Sequence, residues 1–81
     1  MKNHYVYIVE CADETYYTGY TTDVARRVRE HNEGSGAKYT RGRTPVLLRH
    51  VEVFDSRSKA MKREYEIKQL TRGQKLELVQ S

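Results

Sequence analysis

The chain has 81 residues, 37% hydrophobic and 32% charged, with 15 basic and 11 acidic side chains and a formal net charge of +4. That length predicts one domain, residues 1–81, near the lower limit at which a core alone suffices; such chains bury about 60–65% of their unfolded surface. No apolar run approaches the ~18 residues of a membrane span, the N-terminus lacks the apolar stretch of a signal peptide, and the sole cysteine, Cys11, permits no internal disulfide, so a reducing, cytoplasmic setting is expected.

Tyr5, Tyr7, Val9 and Cys11 alternate with Val6, Ile8 and Glu10, the period of a β-strand over residues 4–11. Ala12-Asp13-Glu14 supplies a turn, and Thr15-Tyr16-Tyr17-Thr18-Gly19-Tyr20 is β-prone, which predicts a second strand over 15–20. An odd number of loop residues puts Tyr7 and Tyr17 on one face of this hairpin, and an even number puts them on opposite faces. Asp23 is a candidate N-cap for a helix over 24–33 that ends near Gly34. Its inner stripe is Val24, Val28 and His31, with Arg27 at the edge and Arg26, Arg29 and Glu33 in solvent.

Residues 34–45, GSGAKYTRGRTP, read as a Gly-rich loop with Lys38, Arg41 and Arg43 around Tyr39. A plain connector has no use for three cations with an aromatic among them, whereas contact with a phosphate backbone does. The third strand spans 46–54, and Asp55 or Ser56 caps a helix over 57–69 with Ala60, Met61, Ile67 and Leu70 as its apolar stripe. Glu64 falls inside that stripe, where a carboxylate is rarely placed without a partner. An i,i+4 pair with Lys68 is worth only ~0.2–0.5 kcal/mol and does not require an inward Glu. Thr71-Arg72-Gly73-Gln74 forms a capping box for a short helix bearing Leu76 and Val79. Charge is uneven along the chain: Lys2 faces Glu10, Asp13 and Glu14 in residues 1–22, but seven bases face Glu30 and Glu33 between Arg26 and Arg49. A field of that kind suits a polyanion.

Tyr5-Val6-Tyr7, then Tyr17-Thr18-Gly19, then Arg27 eight residues beyond Gly19 and Glu64 within Lys62-Arg63-Glu64-Tyr65, together resemble the GIY-YIG nuclease family. The resemblance spans nearly the whole chain and is closest to small stand-alone bacterial members, with which the Gly-Ala-Lys-Tyr-Thr-Arg-Gly stretch from Gly36 is also shared. The chain departs from the family pattern at four points. Tyr5 replaces Gly in the first motif, Thr18 replaces Ile in the second, Tyr20 stands where excision-repair relatives have Lys, and no Asn follows Glu64.

The resemblance implies an α/β (α+β) fold, a three-stranded antiparallel sheet with helices packed around it. It implies hydrolysis of a DNA phosphodiester, in repair or recombination, with one divalent metal, Mg2+ or Mn2+. RNA is the other candidate substrate. Tyr7, Tyr17, Arg27, His31 and Glu64 are then the catalytic residues, and Lys38, Tyr39, Arg41 and Arg43 the nucleic-acid contacts. The residue types fit that chemistry, because a phosphodiester is shielded by its own charge and needs cation, nucleophile and leaving-group support. Glu64 holds the metal through one carboxylate, with waters and substrate oxygens completing the shell. Arg27 offers a permanent charge and a planar fork to a non-bridging oxygen. A tyrosine, Tyr7 or Tyr17, deprotonates the attacking water; its ordinary pKa of about 10 is expected to be lowered by metal and Arg. His31 orients a tyrosine or relays its proton, and some restriction-type relatives place a His there. A metal site built from His4, His31 and His50 lacks close ligand spacing and is set aside.

No motif reads base sequence, so cleavage is expected to be structure-dependent or non-specific unless a protein partner supplies targeting. Two other classes fit the same residues: a catalytically weak nucleic-acid-binding module, and a protein-interaction domain whose basic loop docks an acidic partner. Salt-dependent DNA binding separates these two, and metal-dependent cleavage separates the nuclease from both.

Overall fold

The computed structural model of the chain describes residues 3–80. Strands β1 (His4–Glu10), β2 (Tyr16–Thr21) and β3 (Leu47–Phe54) form an antiparallel sheet in the order β2-β1-β3. Helix α1 (Val24–Asn32) follows β2, and α2 (Arg57–Lys68) and α3 (Arg72–Gln80) close the chain. The expected fold class is therefore observed.

Strand β1 is central and buried on both faces, which is why both of its alternating residue sets are apolar or aromatic. Val6 and Ile8 point to one side and pack with Ala60 and Ile67 of α2, flanked by Tyr16, Tyr20, Phe54, Leu70, Leu78 and Val79. Tyr7 and Val9 point to the other, with Cys11 and Val46, against Tyr17 and Val28 of α1. The β1–β2 connection is the odd-numbered stretch 11–15, so Tyr7 pairs with Gly19 and Val9 with Tyr17, and both tyrosines lie on the α1 side.

The helix starts follow the local chemistry. Asp23 accepts the Arg26 N–H at 3.1 Å, Ser56 rather than Asp55 accepts that of Lys59 at 3.2 Å, and Thr71 and Gln74 cap each other reciprocally at 2.9 and 3.2 Å. Two expected core residues lie outside the core. Met61 and Leu76 are exposed, and Leu78 packs inward instead, since these short helices are polar around most of their circumference and the docking angle selects the buried face. Thr18, in place of the motif's Ile, buries a hydroxyl that has no hydrogen-bond partner among the described residues. Such an orphan costs about 1–3 kcal/mol.

The Gly-rich segment is not a loose connector. Lys38–Thr40 form a 3-10 turn, the Ala12 N–H donates to the Arg43 carbonyl at 2.7 Å, and Asn32 accepts the Val46 N–H at 2.7 Å where the chain enters β3. No helix among the described residues is long and apolar enough to cross a membrane.

Candidate active site

The site is built around the Tyr7 phenol. Its ring crosses the backbone of Gly19, where an added Cβ would stand 2.4 Å from Oη, so only glycine leaves the room. Because β2 is an edge strand, the hydroxyl reaches toward the border of the sheet. There it meets side chains from both layers. His31, one turn beyond Arg27 on α1 and fully buried, places Nε2 2.8 Å from Oη. The Arg27 guanidinium stands against the same hydroxyl, and Glu64 of α2 comes near enough for its charge to act on it. Tyr7 and Arg27 thus share one side of the sheet, as the hairpin parity and helix phase require.

The proton positions follow from the hydrogen bonds. Thr40 Oγ1 is 2.9 Å from the Ala37 carbonyl, which can only accept, so the hydroxyl proton lies on that line. The same oxygen is 2.8 Å from His31 Nδ1 and must accept Nδ1–H. Nε2 is then the bare nitrogen and accepts the Tyr7 O–H. In this tautomer the Ala37 N–H, 3.4 Å from Nδ1, forgoes a long bond to that nitrogen in favour of the shorter Thr40 contact. A relay therefore runs from Tyr7 through His31 and Thr40 to the Ala37 carbonyl.

Burial outweighs the pull of Arg27 on Tyr7, and with Tyr17 and Glu64 adding to the upward push its pKa rises to about 12. This reverses the expected lowering for the metal-free protein: the phenol holds its proton and donates it to His31. Burial, then the charge of Arg27, pushes His31 below its ordinary value and keeps it neutral. Burial also works against the charge of Arg27, but its bonds to Glu30 (3.0 Å) and Tyr7 prevail and hold it cationic. The signs give a pH prediction. A His with a depressed folded pKa contributes stability that is present above its unfolded value of about 6.5 and is lost as pH falls through the folded value. Tyr7 contributes stability that is present below about 10 and is lost as pH rises toward 12. Melting temperature against pH should therefore fall on both sides, and His31→Gln should flatten the acid limb; an unchanged acid limb would remove His31 from that role.

Glu64 is inward as expected, its side chain only 13% exposed, and it also pairs with Lys68 at 3.3 Å. Among the described residues no group of three His, Cys, Asp or Glu side chains is placed to hold a metal ion. His4 bonds Tyr20, His50 bonds Glu52, and His31 lies on the other side of the sheet, so the three histidines do not converge.

The predicted nucleic-acid contacts divide into two kinds. Tyr39 stacks on Tyr17 (5.8 Å, 25°), and Tyr17 meets the His31 ring edge-on at 5.4 Å, so an aromatic path runs from the surface to the relay. Arg43 is already engaged, lying 4.4 Å over Tyr39 and paired with Asp13. Lys38 and Arg41 are exposed, and among the described residues neither has a carboxylate partner. Changing both to Ala should weaken duplex binding evenly across sequences and reduce the slope of log K against log salt by ~0.9 per lost contact. An unchanged slope would leave them as surface charges.

Two residues of the site escape the sequence reading. Thr40 sets the His31 tautomer, and Gly36 permits the loop to close over the imidazole, since a Cβ there would stand 2.3 Å from Nδ1. Both lie in the Gly36–Gly42 stretch, which closes over His31. A profile of the GIY-YIG catalytic domain matches residues 3–77. The chain belongs to the GIY-YIG family. It is 75% identical to a UPF0213 protein of Halobacterium salinarum over 89% of this chain and 94% of that one. With a UPF0213 protein of Staphylococcus haemolyticus it shares 56% over 99% and 98% of the two chains. Among solved structures, the solution NMR structure of a UPF0213 protein from Bacillus halodurans superposes with a TM-score of 0.63 at 56% identity, covering 96% of this chain and 83% of that chain. Membership of this family points to nuclease-type chemistry on nucleic acid.

Proposed function

We propose that this GIY-YIG protein is a metal-dependent endonuclease that hydrolyses DNA phosphodiester bonds without reading base sequence. One observation carries the reading: the buried Tyr7 phenol is hydrogen-bonded to a neutral imidazole, with an arginine beside it and a carboxylate near enough for its charge to act on it. Those are a proton acceptor, a fixed cation for the phosphate and a ligand for a hard cation.

In the step this supports, the attacking water gives its proton to Tyr7 Oη as Tyr7 gives its own to His31 Nε2. The new P–O bond forms as the bond to the leaving oxygen breaks, and that oxygen takes its proton from solvent. No free phenolate forms, so a pKa near 12 is no obstacle. Thr40 holds Nδ1–H and keeps Nε2 open to receive that proton. Arg27, 30% exposed in its side chain, presents its fork to a non-bridging oxygen, with Glu30 fixing its orientation. The donor set fits Mg2+ or Mn2+, which needs only one or two protein carboxylates when phosphate oxygens and waters fill the remaining positions. Glu64 is that carboxylate, and Lys68, about half exposed, can swing into solvent. When bound, the ion would supply positive charge to the phosphate and to the leaving oxygen. Tyr17 and Tyr39 form the wall on which bases of the substrate stack.

The test is incubation of purified protein with branched, nicked, single-stranded and duplex DNA in Mg2+, Mn2+ or EDTA, beside the Arg27→Lys variant. Wild type should cut in metal and not in EDTA. Arg27→Lys, which keeps the charge and loses the fork, should lower turnover ~10²–10³-fold with affinity nearly intact. Failure of wild type to cut any of these substrates would overturn the nuclease reading, and loss of affinity without loss of turnover on bound substrate would make Arg27 a docking residue.

A further inference from the structure

Next to the aromatic wall, Thr15 and Tyr16 at the start of β2, Tyr39 from the 3-10 turn, and Arg72 and Lys75 of α3 line a cavity of about 190 Å³. We infer that this cavity is a nucleotide subsite, which takes one unpaired nucleotide of the strand flanking the cleaved phosphate, with its base against Tyr16 and Tyr39 and its phosphate on Arg72 and Lys75. The inference deepens the DNA-cleaving reading and rests on it for the identity of the strand.

Three features of the lining carry it. No carboxylate lines the cavity, and its two charges are both positive. They lie at i and i+3 on one helix face, a like-charge spacing that costs stability when nothing anionic stands between. Each cation also keeps bonding capacity in reserve. Arg72 spends one N–H on the Glu14 carbonyl at 2.9 Å, which fixes the guanidinium and leaves its other donors. Lys75 has no ion-pair partner among the described residues, and burial, then the charge of Lys68, pushes its amine below the usual lysine value. An anion drawn into the cavity would relieve both penalties.

The third feature is the aromatic lining. Tyr16 offers its ring to a base, and Tyr39, already stacked on Tyr17 and under Arg43, closes the wall beside it; stacking on an aromatic accepts any base. Tyr39 belongs to both places, since the ring that lines the cavity also stacks on Tyr17. The cavity thus borders the aromatic path that leads to Tyr7 and suits the next stretch of the same strand. A base that is still paired cannot enter, so the subsite selects flaps, branches, gaps and frayed ends over blunt duplex. The helix N-terminus is not the anion site here, because Thr71 and Gln74 already cap it.

The test is the affinity of wild type and of Arg72→Ala/Lys75→Ala for labelled oligo-dT, oligo-dA and blunt duplex across a salt series, measured in EDTA so that cleavage plays no part. The double variant should bind both single strands at least about tenfold more weakly at low salt, with the slope of log K against log salt lower by ~0.7 per contact. Duplex affinity should be unchanged. Lys75→Met, which keeps the buried stem, should reproduce about half of the slope change and serves if the double variant fails to fold. Inorganic phosphate at matched ionic strength should not displace oligo-dT, whereas thymidine monophosphate should. Equal oligo-dT binding by wild type and variants, or equal loss on duplex, would overturn the subsite. A wild type that binds oligo-dT through Arg72 and Lys75 yet cuts nothing would keep the subsite and refute the nuclease instead.

Discussion

Replacing Glu64 by glutamine is expected to abolish Mg2+-dependent cleavage while sparing both DNA affinity and the fold. The side chain is only 13% exposed, yet among the described residues its one ion pair is with Lys68, an i,i+4 contact worth only ~0.2–0.5 kcal/mol. A carboxylate kept there for folding would lose its bonds on neutralisation and destabilise the protein. One kept for a cation carries a desolvation cost that the neutral isostere relieves, and its charge also stops pressing on Tyr7. Turnover should fall by more than about a hundredfold, and the metal-free melting temperature should stay level or rise. Unimpaired cutting would remove Glu64 from the site. A much lower melting temperature without metal would make it structural, and the protein would then be better described as a nucleic-acid-binding module.

The second large effect is expected at Tyr7. Phenylalanine there removes the proton acceptor and leaves His31 Nε2 buried without a partner. Turnover should fall ~10²–10⁴-fold, and stability by ~1–3 kcal/mol, a drop in melting temperature of roughly 4–8 °C per kcal/mol for a domain of this size. Thr40→Val acts on the same chain from its far end. It takes away the acceptor for Nδ1–H, so the imidazole can turn its proton toward Tyr7, and turnover should fall with a displaced pH–rate profile and unchanged affinity. Thr40→Ser should restore both, which a merely structural role for Thr40 does not predict. If Tyr7→Phe keeps its turnover and Tyr17→Phe loses it, the base is Tyr17.

The features that were readable in the sequence share one property: each is decided within a few residues. Hairpin parity tied the shared face of Tyr7 and Tyr17 to an odd-numbered loop, and the connection 11–15 is odd. Asp23, Ser56, Thr71 and Gln74 cap the helices that follow them. Helix phase turned His31 inward and left Arg27 on the rim. What escaped depends on where distant segments meet. Thr40 looked like one more polar residue of a Gly-rich loop until the loop folded over His31. Arg43 looked free for phosphate, but the loop returns it to Asp13 and Tyr39. The Tyr7 pKa was expected to fall because neighbouring cations could be named from sequence, whereas the depth of its burial could not. The cavity beside Tyr39 combines side chains from residues 15 to 75, and no local pattern announces it.

In the proposed site, Tyr7 and Glu64 act as parts of one machine. Single-turnover cleavage of a labelled branched DNA in Mg2+ should be measured for wild type, Tyr7→Phe, Glu64→Gln and the double variant, with affinity measured in parallel. Residues that act as a unit are strongly non-additive, so the double variant should cut no more slowly than the slower single, with affinity unchanged across the set. Losses that multiply, or cleavage at the wild-type rate in either single variant, would contradict the site proposed here.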